Sequence, residues 1–205
     1  CHFLRNEALN MAGGFFATEA GVRIVGSVFE DNRAKEGAGT VLDRTTHAEL
    51  RNSTWLRNRA EEGGGLLVRG EAMAVVDHCQ IGPHNHATLR GGGMLVDKVS
   101  TVRVRASAFV SNDAYEGGGI HVQAKATLFM GNHSTVLHNQ ATVGAGISSI
   151  EKSHLYVRDS LFQNNTALSR GGGIMMTHSN CPVDAKDAMA LTALTAPAAG
   201  PDASA

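Results

Sequence analysis

The feature that most constrains the fold is a short motif that recurs along the chain. In it, an aromatic or apolar residue is followed three positions later by Asn, and a run of small residues comes next. The six pairs are Phe3/Asn6, Phe29/Asn32, Trp55/Asn58, Phe109/Asn112, Val136/Asn139 and Phe162/Asn165. The small-residue runs begin at Ala12, Gly37, Gly63, Gly91, Gly117, Gly144 and Gly171. This nearly constant spacing predicts a solenoid of similar stacked coils.

The residues between the glycine runs have the pattern of β-strands. Apolar and polar residues alternate in segments such as 66–69, 102–105 and 120–123, whereas a helix would repeat every 3.6 residues. Gly and Asn supply tight corners because both tolerate the left-handed backbone conformation. A repeat of about 26 residues therefore predicts an all-β fold, a right-handed parallel β-helix of about seven coils over residues 1–181.

Stacked coils bring residues one period apart onto adjacent strands, where opposite charges attract. Four columns alternate in sign over three coils: Arg5–Asp31–Arg57, Asp43–Arg69–Asp97, Arg51–Asp77–Arg105 and Glu62–Arg90–Glu116. An Asn at a fixed corner can donate a hydrogen bond to one neighbouring coil and accept one from the other. We expect this structural ladder to consist of Asn6, Asn32, Asn58, Asn112, Asn139 and Asn165. The copy at Ile81 lacks the spacing and carries His84-Asn85 instead, so we treat it as a break in the repeat.

The repeat pattern stops near Cys181. Residues 182–205 are rich in Ala, Thr and Pro, and we expect a short capping helix over 183–194 followed by a flexible tail. No comparable cap precedes Phe3, so we expect the chain to be part of a longer polypeptide or of a larger assembly. Three cysteines are an odd number, which argues against a disulfide framework, and Cys79 falls in a column of small residues that faces the core.

Composition excludes some partners. The chain has 18 Lys and Arg against 19 Asp and Glu, so there is no basic excess of the kind that nucleic acid requires. No apolar run approaches the roughly 18 residues of a membrane-spanning helix. Asn52, Asn132 and Asn164 lie in Asn-x-Ser/Thr sequons, which are compatible with an extracellular or cell-surface location.

The repeat motifs resemble those of the chlamydial polymorphic outer membrane protein family. Phe3/Asn6, Phe29/Asn32, Phe109/Asn112 and Phe162/Asn165 match its Phe-x-x-Asn motif, and the segments 64–66, 118–120 and 172–174 match its Gly-Gly-Ala-Ile motif with Gly in place of Ala. The resemblance covers most of the chain. It implies a right-handed parallel β-helix at a cell surface with a role in adhesion.

Enzymes that act on polysaccharides also use the parallel β-helix, with paired carboxylates or a calcium cage. Most acids here fall in charge columns opposite Arg, and Glu36 and Glu62 are the like-charged acids stacked one coil apart. His84 and His86 make only half a zinc site, and a solvated corner is the simpler interpretation. We therefore predict no catalytic residue, no metal site and no cofactor.

One outward column is apolar over four consecutive coils. Phe16, Val41, Leu67 and Leu95 are each the second residue after a small-residue run, and we expect them to form an exposed strip that binds a partner. Asp at positions 67 and 95 should then abolish binding and leave the fold intact. A covering loop or a missing coil would explain the same strip.

The sequence thus favours a non-enzymatic module for adhesion, scaffolding or protein interaction, with a protein or glycan partner. A carbohydrate-active β-helix enzyme and an accessory subunit of a larger complex are the alternatives.

Overall fold

The computed structural model describes residues 1–179, which form 25 short strands and no helix. The predicted capping helix, the tail and Cys181 lie outside the described residues. Each turn of the chain visits four parallel sheets in the order A, B, C, D, so each sheet runs along the stack. The predicted all-β parallel β-helix is confirmed, with about seven coils and with ladder partners 26 or 27 positions apart in sequence.

The strand bounds show the repetition from coil to coil. Sheet A consists of β1 (His2–Leu4), β4 (Val28–Glu30), β7 (Thr54–Leu56), β11 (Gln80–Ile81), β15 (Ala108–Val110), β19 (Ser134–Leu137) and β23 (Ser160–Gln163). Sheet B consists of β8 (Arg59–Glu62), β12 (His86–Arg90), β16 (Asp113–Glu116), β20 (Gln140–Val143) and β24 (Thr166–Arg170). Sheet C consists of β2 (Phe15–Thr18), β5 (Thr40–Asp43), β9 (Leu66–Val68), β13 (Met94–Val96), β17 (Ile120–Val122), β21 (Ile147–Ser149) and β25 (Ile174–Met176). Sheet D consists of β3 (Gly21–Val25), β6 (His47–Arg51), β10 (Met73–Asp77), β14 (Thr101–Arg105), β18 (Thr127–Gly131) and β22 (His154–Val157).

The hydrophobic core is a stack that follows the aromatic column. Phe3 pairs in register with Phe29, and Phe29 pairs with Trp55. The rings of Phe3 and Phe29 are parallel with centroids 4.6 Å apart, and those of Phe29 and Trp55 are 5.0 Å apart. Ile81 and Phe109 continue the column and are fully buried. Each coil therefore gains most of its stability from the coils on either side, as expected of a solenoid.

The asparagine ladder is confirmed, and it has one more member than predicted. The Nδ2 of each ladder Asn before Asn165 donates to the Oδ1 of the Asn one coil further along, at 2.9 to 3.0 Å. From Asn32 onward, Nδ2 also donates to a backbone carbonyl of the preceding coil. Asn85 fills the position that the sequence left open, between Asn58 and Asn112. The interpretation of its segment as a break in the repeat was wrong, because the ladder accommodates one extra residue between Ile81 and Asn85.

The extra residue depends on glycine at position 82. Gly82 has φ of +121°, and a Cβ at this position would collide with the backbone oxygen of Val110 in the next coil. Only glycine tolerates both constraints. The longer corner therefore keeps Asn85 in the same column as the other ladder asparagines.

The charge columns form in part. Arg90 lies between Glu62 and Glu116, with N–O distances of 3.6 and 3.8 Å, as predicted. In each of the other three columns, one of the two predicted pairs forms. These pairs are Arg57 with Asp31 at 3.0 Å, Arg69 with Asp43 at 3.2 Å, and Arg51 with Asp77 at 3.8 Å.

The predictions for the remaining column ends were wrong. Asp97 accepts a hydrogen bond from Gln123 at 3.2 Å and pairs with no Arg among residues 1–179. Arg5 and Arg105 form no ion pair with a carboxylate in the same range. The shared register places these residues in line, but it does not bring their long side chains into contact.

Candidate functional site

The apolar strip predicted to bind a partner is not a surface. Val41, Leu67 and Leu95 are at most 1% exposed, and Phe16 is 44% exposed at the start of the column. The three buried side chains face away from the main core and pack with Met11 and Ala12 in a second cluster. They line a furrow on the outer side of sheet C where sheet B meets it. The prediction of an exposed partner-binding strip is therefore wrong.

The furrow is closed by the corners of the same coils. The glycine that begins each small-residue run turns the chain back over sheet C, and a Cβ at Gly63 would lie 3.0 Å from Leu67 Cβ. Arg69 covers the furrow from outside, with Nη1 2.5 Å from Glu36 Oε2 and Nη2 3.2 Å from Asp43 Oδ2. The missing cover that the sequence suggested as an alternative is thus supplied by neighbouring coils.

Further along the furrow the column becomes polar. His121 follows Leu95 in the register, and Ser148 follows His121. The Nε2 of Gln123 donates a hydrogen bond to Asp97 Oδ1 at 3.2 Å. The Oε1 of Gln123 lies 3.1 Å from His121 Nε2. Because an amide oxygen can only accept, His121 carries its hydrogen on Nε2. The Nδ1 of neutral His121 is then a bare acceptor.

This bare nitrogen faces a second acceptor. His121 Nδ1 lies 3.9 Å from Glu116 Oε2, and neither atom has a hydrogen-bond partner within the described residues. Burial lowers the pKa of His121 to about 4, with a smaller contribution in the same direction from Arg90, although the hydrogen bond with Gln123 raises it. His121 is therefore neutral at pH 7. Its side chain is fully buried, so a dissolved substrate does not reach it.

The histidines and the cysteine of the irregular coil are kept apart. His86 Nδ1 lies 2.7 Å from Asp113 Oδ2 in the next coil, whereas His84 is exposed. Cys79 is buried and its Sγ donates to backbone carbonyls; burial raises the pKa of its thiol. Within residues 1–179, no group of three or more His, Cys, Asp or Glu side chains is arranged to hold a metal ion. That part of the chain also has no helix long and apolar enough to cross a bilayer.

The outer face of sheet D carries a cluster that the sequence interpretation missed. Arg103, Phe129 and Tyr156 are consecutive in the register of β14, β18 and β22. The rings of Phe129 and Tyr156 are stacked, with centroids 4.6 Å apart and planes at 13°. The guanidinium carbon of Arg103 lies 4.8 Å from the Phe129 centroid, a cation–π contact. Because the stack runs along the solenoid axis, the ring edges point outward from the sheet.

A second column lies beside this stack. Arg105 pairs in register with Gly131, and Arg158, which follows β22 in the next coil, lies against Gly131. The two columns line the sheet D groove, an open groove of about 520 Å³ whose polar and aromatic walls are formed by Arg103, Arg105, Phe129, Asn132, Tyr156 and Arg158. The three arginines are exposed. They form no ion pair with any carboxylate of residues 1–179.

Comparison with known proteins agrees with this architecture. The family described as right handed beta helix region matches residues 13–187. The chain belongs to this family. The right-handed winding that the sequence predicts is also the winding of this family. No solved structure gives a significant match to this β-helix.

Two curated relatives come from Dictyostelium discoideum. One, a metabotropic glutamate receptor-like protein R, is 25% identical over 146 residues, which is 71% of this β-helix and 9% of the relative. The other, a transmembrane domain-containing protein, is 22% identical over 160 residues, which is 77% of this β-helix and 9% of the relative. The β-helix therefore spans less than a tenth of the length of these relatives.

A signal for the sheet D groove was present in the sequence. Phe129 and Tyr156 occupy outward positions of their strands, one period apart, at the spacing that places the charge columns. The outward positions after the glycine runs are the ones that the furrow buries. Outward aromatic residues one period apart in the strand before the Asn motif are the pattern that indicates this pair.

Proposed function

We propose that this β-helix is a non-enzymatic binding module, extracellular or at a cell surface, and that its sheet D groove binds an acidic glycan. The observation that carries the proposal is the Arg103–Phe129–Tyr156 stack, with Arg105 and Arg158 beside it. The groove combines positive charge with outward ring edges. Ring edges carry the positive end of the aromatic quadrupole, so both features favour an anionic ligand.

A glycan fits this face better than an acidic peptide. The central strands of sheet D, β14 and β18, are paired on both sides, so an extended peptide finds no free edge with which to form main-chain hydrogen bonds here. Recognition must come from side chains. Asn132 and the Tyr156 hydroxyl offer hydrogen bonds to sugar hydroxyls, the arginines bind acidic groups, and the rings contact apolar C–H edges.

The location rests on similarity. The repeat motifs resemble the chlamydial polymorphic outer membrane protein family, for which a surface role in adhesion is implied. The names of the two Dictyostelium relatives, receptor-like and transmembrane domain-containing, also suit a module displayed at a cell surface. The chain covers only a small part of each relative, so the activity of a longer protein that contains it belongs to the same proposal.

The enzyme alternative has less support. The nearest arrangement to an acid–base site is His121 with Glu116, and its histidine is fully buried in the furrow although Glu116 is partly exposed. The carboxylates of the Glu62–Arg90–Glu116 column are held by Arg90 instead of facing one another across an open cleft. Steady release of reducing ends from an acidic polysaccharide would favour the enzyme. Stoichiometric co-purification with a protein assembly would favour an accessory subunit.

Binding of polygalacturonate, a carboxylated glycan, tests the proposal directly. The double variant Arg105→Gln/Arg158→Gln removes two charges from the groove, and we expect at least tenfold weaker binding by isothermal titration calorimetry. The matched control Arg33→Gln/Arg59→Gln removes two exposed arginines in adjacent coils, of which Arg59 begins β8 of sheet B and Arg33 pairs with it in register. The control should bind within about twofold of the unmodified chain. Equal loss in both variants would show that only net charge matters and would contradict a defined groove.

A further inference from the structure

Within the sheet D groove, Gly131 stands between two arginines in a column that begins with alternating charges. One column along the edge of sheet D reads Arg51, Asp77, Arg105, Gly131, and Arg158, just past the end of β22, lies against Gly131. The first pair follows the alternation of the other columns, since Arg51 Nε lies 3.8 Å from Asp77 Oδ2. Continued alternation would place Asp or Glu at position 131, between two arginines. The column instead brings Arg105 and Arg158 to either side of a residue without a side chain.

The backbone does not require glycine at this position. Gly131 ends strand β18, and its φ is not in the left-handed region. The nearest neighbours of an added Cβ are Arg158 Cγ at 3.2 Å, the Arg158 backbone oxygen at 3.4 Å and Arg158 Nε at 3.6 Å. A glycine in a strand weakens it and often marks a close approach of a ligand. Backbone conformation alone therefore does not account for the glycine, and an added Cβ would displace the Arg158 side chain by a few tenths of an ångström.

Arg105 and Arg158 flank position 131 on its two sides along the column. Arg158 lies over Gly131 and buries it. The backbones of Arg105 and Arg158 are two strand spacings apart, about 10 Å. Two extended arginine side chains can both reach a group that lies between them. Phe129 and Tyr156 form the adjacent wall. The local charge is positive, and no carboxylate of residues 1–179 pairs with either arginine.

We propose that the gap at Gly131 is an anion subsite in which a carboxylate of an acidic glycan takes the place of the missing acidic side chain. Arg105 and Arg158 hold the carboxylate from opposite sides, as Arg51 pairs with Asp77 in the same column. Arginine suits this role because its planar fork matches the two oxygens of a carboxylate. A uronic acid unit supplies such a group, and its ring then lies along the Phe129–Tyr156 wall. The assignment names the ligand group of the proposed function and rests on it.

Two substitutions at the same position test the subsite. Gly131→Asp supplies the missing carboxylate from within the chain, whereas Gly131→Asn fills the same space without charge. We expect Gly131→Asp to weaken polygalacturonate binding at least tenfold, and Gly131→Asn to weaken it clearly less. The melting temperature of Gly131→Asp should exceed that of Gly131→Asn by about 1–4 °C, because new pairs with Arg105 and Arg158 form.

A control on the same sheet separates the local effect from net charge. Gly21 begins β3 of sheet D, is exposed, and has open space around an added Cβ. Gly21→Asp should bind polygalacturonate within about twofold of the unmodified chain. The protein should come from a host that does not glycosylate it, because Asn132 lies in a sequon on the groove wall.

The outcomes separate this inference from the proposed function. If Asp and Asn at position 131 give the same affinity and the same melting temperature, the subsite is wrong even though the groove binds the glycan. If the unmodified chain binds no polygalacturonate but Gly131→Asp is still more stable than Gly131→Asn, the two arginines hold an anion and the glycan assignment is wrong. Binding of dextran sulfate, which carries no carboxylate, without binding of polygalacturonate would overturn the choice of a carboxylate.

Discussion

Asn85 Nδ2 donates a 3.0 Å hydrogen bond to Asn112 Oδ1, although Asn85 follows its core residue Ile81 by four positions and Asn112 follows Phe109 by three. The position in the ladder is therefore preserved in space when the spacing along the chain changes. The backbone and side-chain nitrogens of Asn58 both donate to Asn85 Oδ1 at 3.0 Å, so one side chain satisfies polar groups in the coils on both sides.

Removing a central member of the ladder should destabilise the whole stack. Asn85→Ala leaves the two buried donors of Asn58 without their acceptor, and each unsatisfied buried group costs about 1–3 kcal/mol. We expect the free energy of unfolding, measured by urea denaturation, to fall by about 3 kcal/mol or more. Asn10→Ala, at an exposed position outside the ladder, is the control and should change it by less than about 0.5 kcal/mol. Similar losses in both variants would contradict a structural role specific to the ladder.

Because Leu95 is buried in the furrow, its substitution should lower the stability of the fold, whereas the sequence predicted a loss of partner binding. Leu95 is fully buried between Leu67 and His121, so Leu95→Ala should lower the free energy of unfolding by about 2–5 kcal/mol. Leu89→Ala, in the same coil but 47% exposed, should change it by about 0.5 kcal/mol or less. Leu95→Asp, expected from the sequence to leave the fold intact, should now unfold it because it buries a charge. A folded Leu95→Asp variant, shown by circular dichroism, would contradict the furrow.

His121 should make the fold sensitive to acid. Its pKa is lowered to about 4 in the folded chain, against about 6.5 when unfolded. The unfolded state therefore binds the proton first, so the stabilisation is present above pH 6.5 and is lost as pH falls towards 4. The loss is about 3 kcal/mol for this shift.

The measurement is the free energy of unfolding at pH 7 and at pH 4.5. The charged side chains Glu116, Asp97 and Arg90 lie near His121, so the comparison must be with a variant. His121→Leu extends the apolar column of Leu67 and Leu95 and should lose less stability on acidification than the unmodified chain. If both proteins lose the same amount, the acid sensitivity belongs to the carboxylates.

The aromatic wall should contribute to binding through the ring of Tyr156. Tyr156→Ala removes the ring that the proposal places beside the sugar, and the loss of about 1 kcal/mol of apolar contact with the ligand should lower polygalacturonate affinity about fivefold. Tyr156→Phe keeps the ring and should retain most of the affinity. Tyr115→Ala, which removes the exposed tyrosine of sheet B, is the control and should leave the affinity unchanged. An unchanged affinity in Tyr156→Ala would remove the wall from the site.

The fold could be predicted from the sequence more completely than the surface could. Period and strand alternation were enough for the coils, the ladder and the aromatic core, because these depend on which residues stack at a common register. The furrow could not be read from the same pattern. Whether an outward side chain such as Leu67 meets water depends on how the corner at Gly63 folds back, and that is a property of three-dimensional shape. Ion pairs also require side chains to reach each other, which is why Arg105 lies in line with Asp77 without pairing to it.

The most direct test of the account is a crystal structure of this β-helix with a short oligogalacturonate. The account predicts one carboxylate above Gly131, with an oxygen within hydrogen-bond distance of both Arg105 and Arg158, and a sugar ring beside Tyr156. An ordered oligosaccharide on another face, with the sheet D groove unchanged, would contradict it.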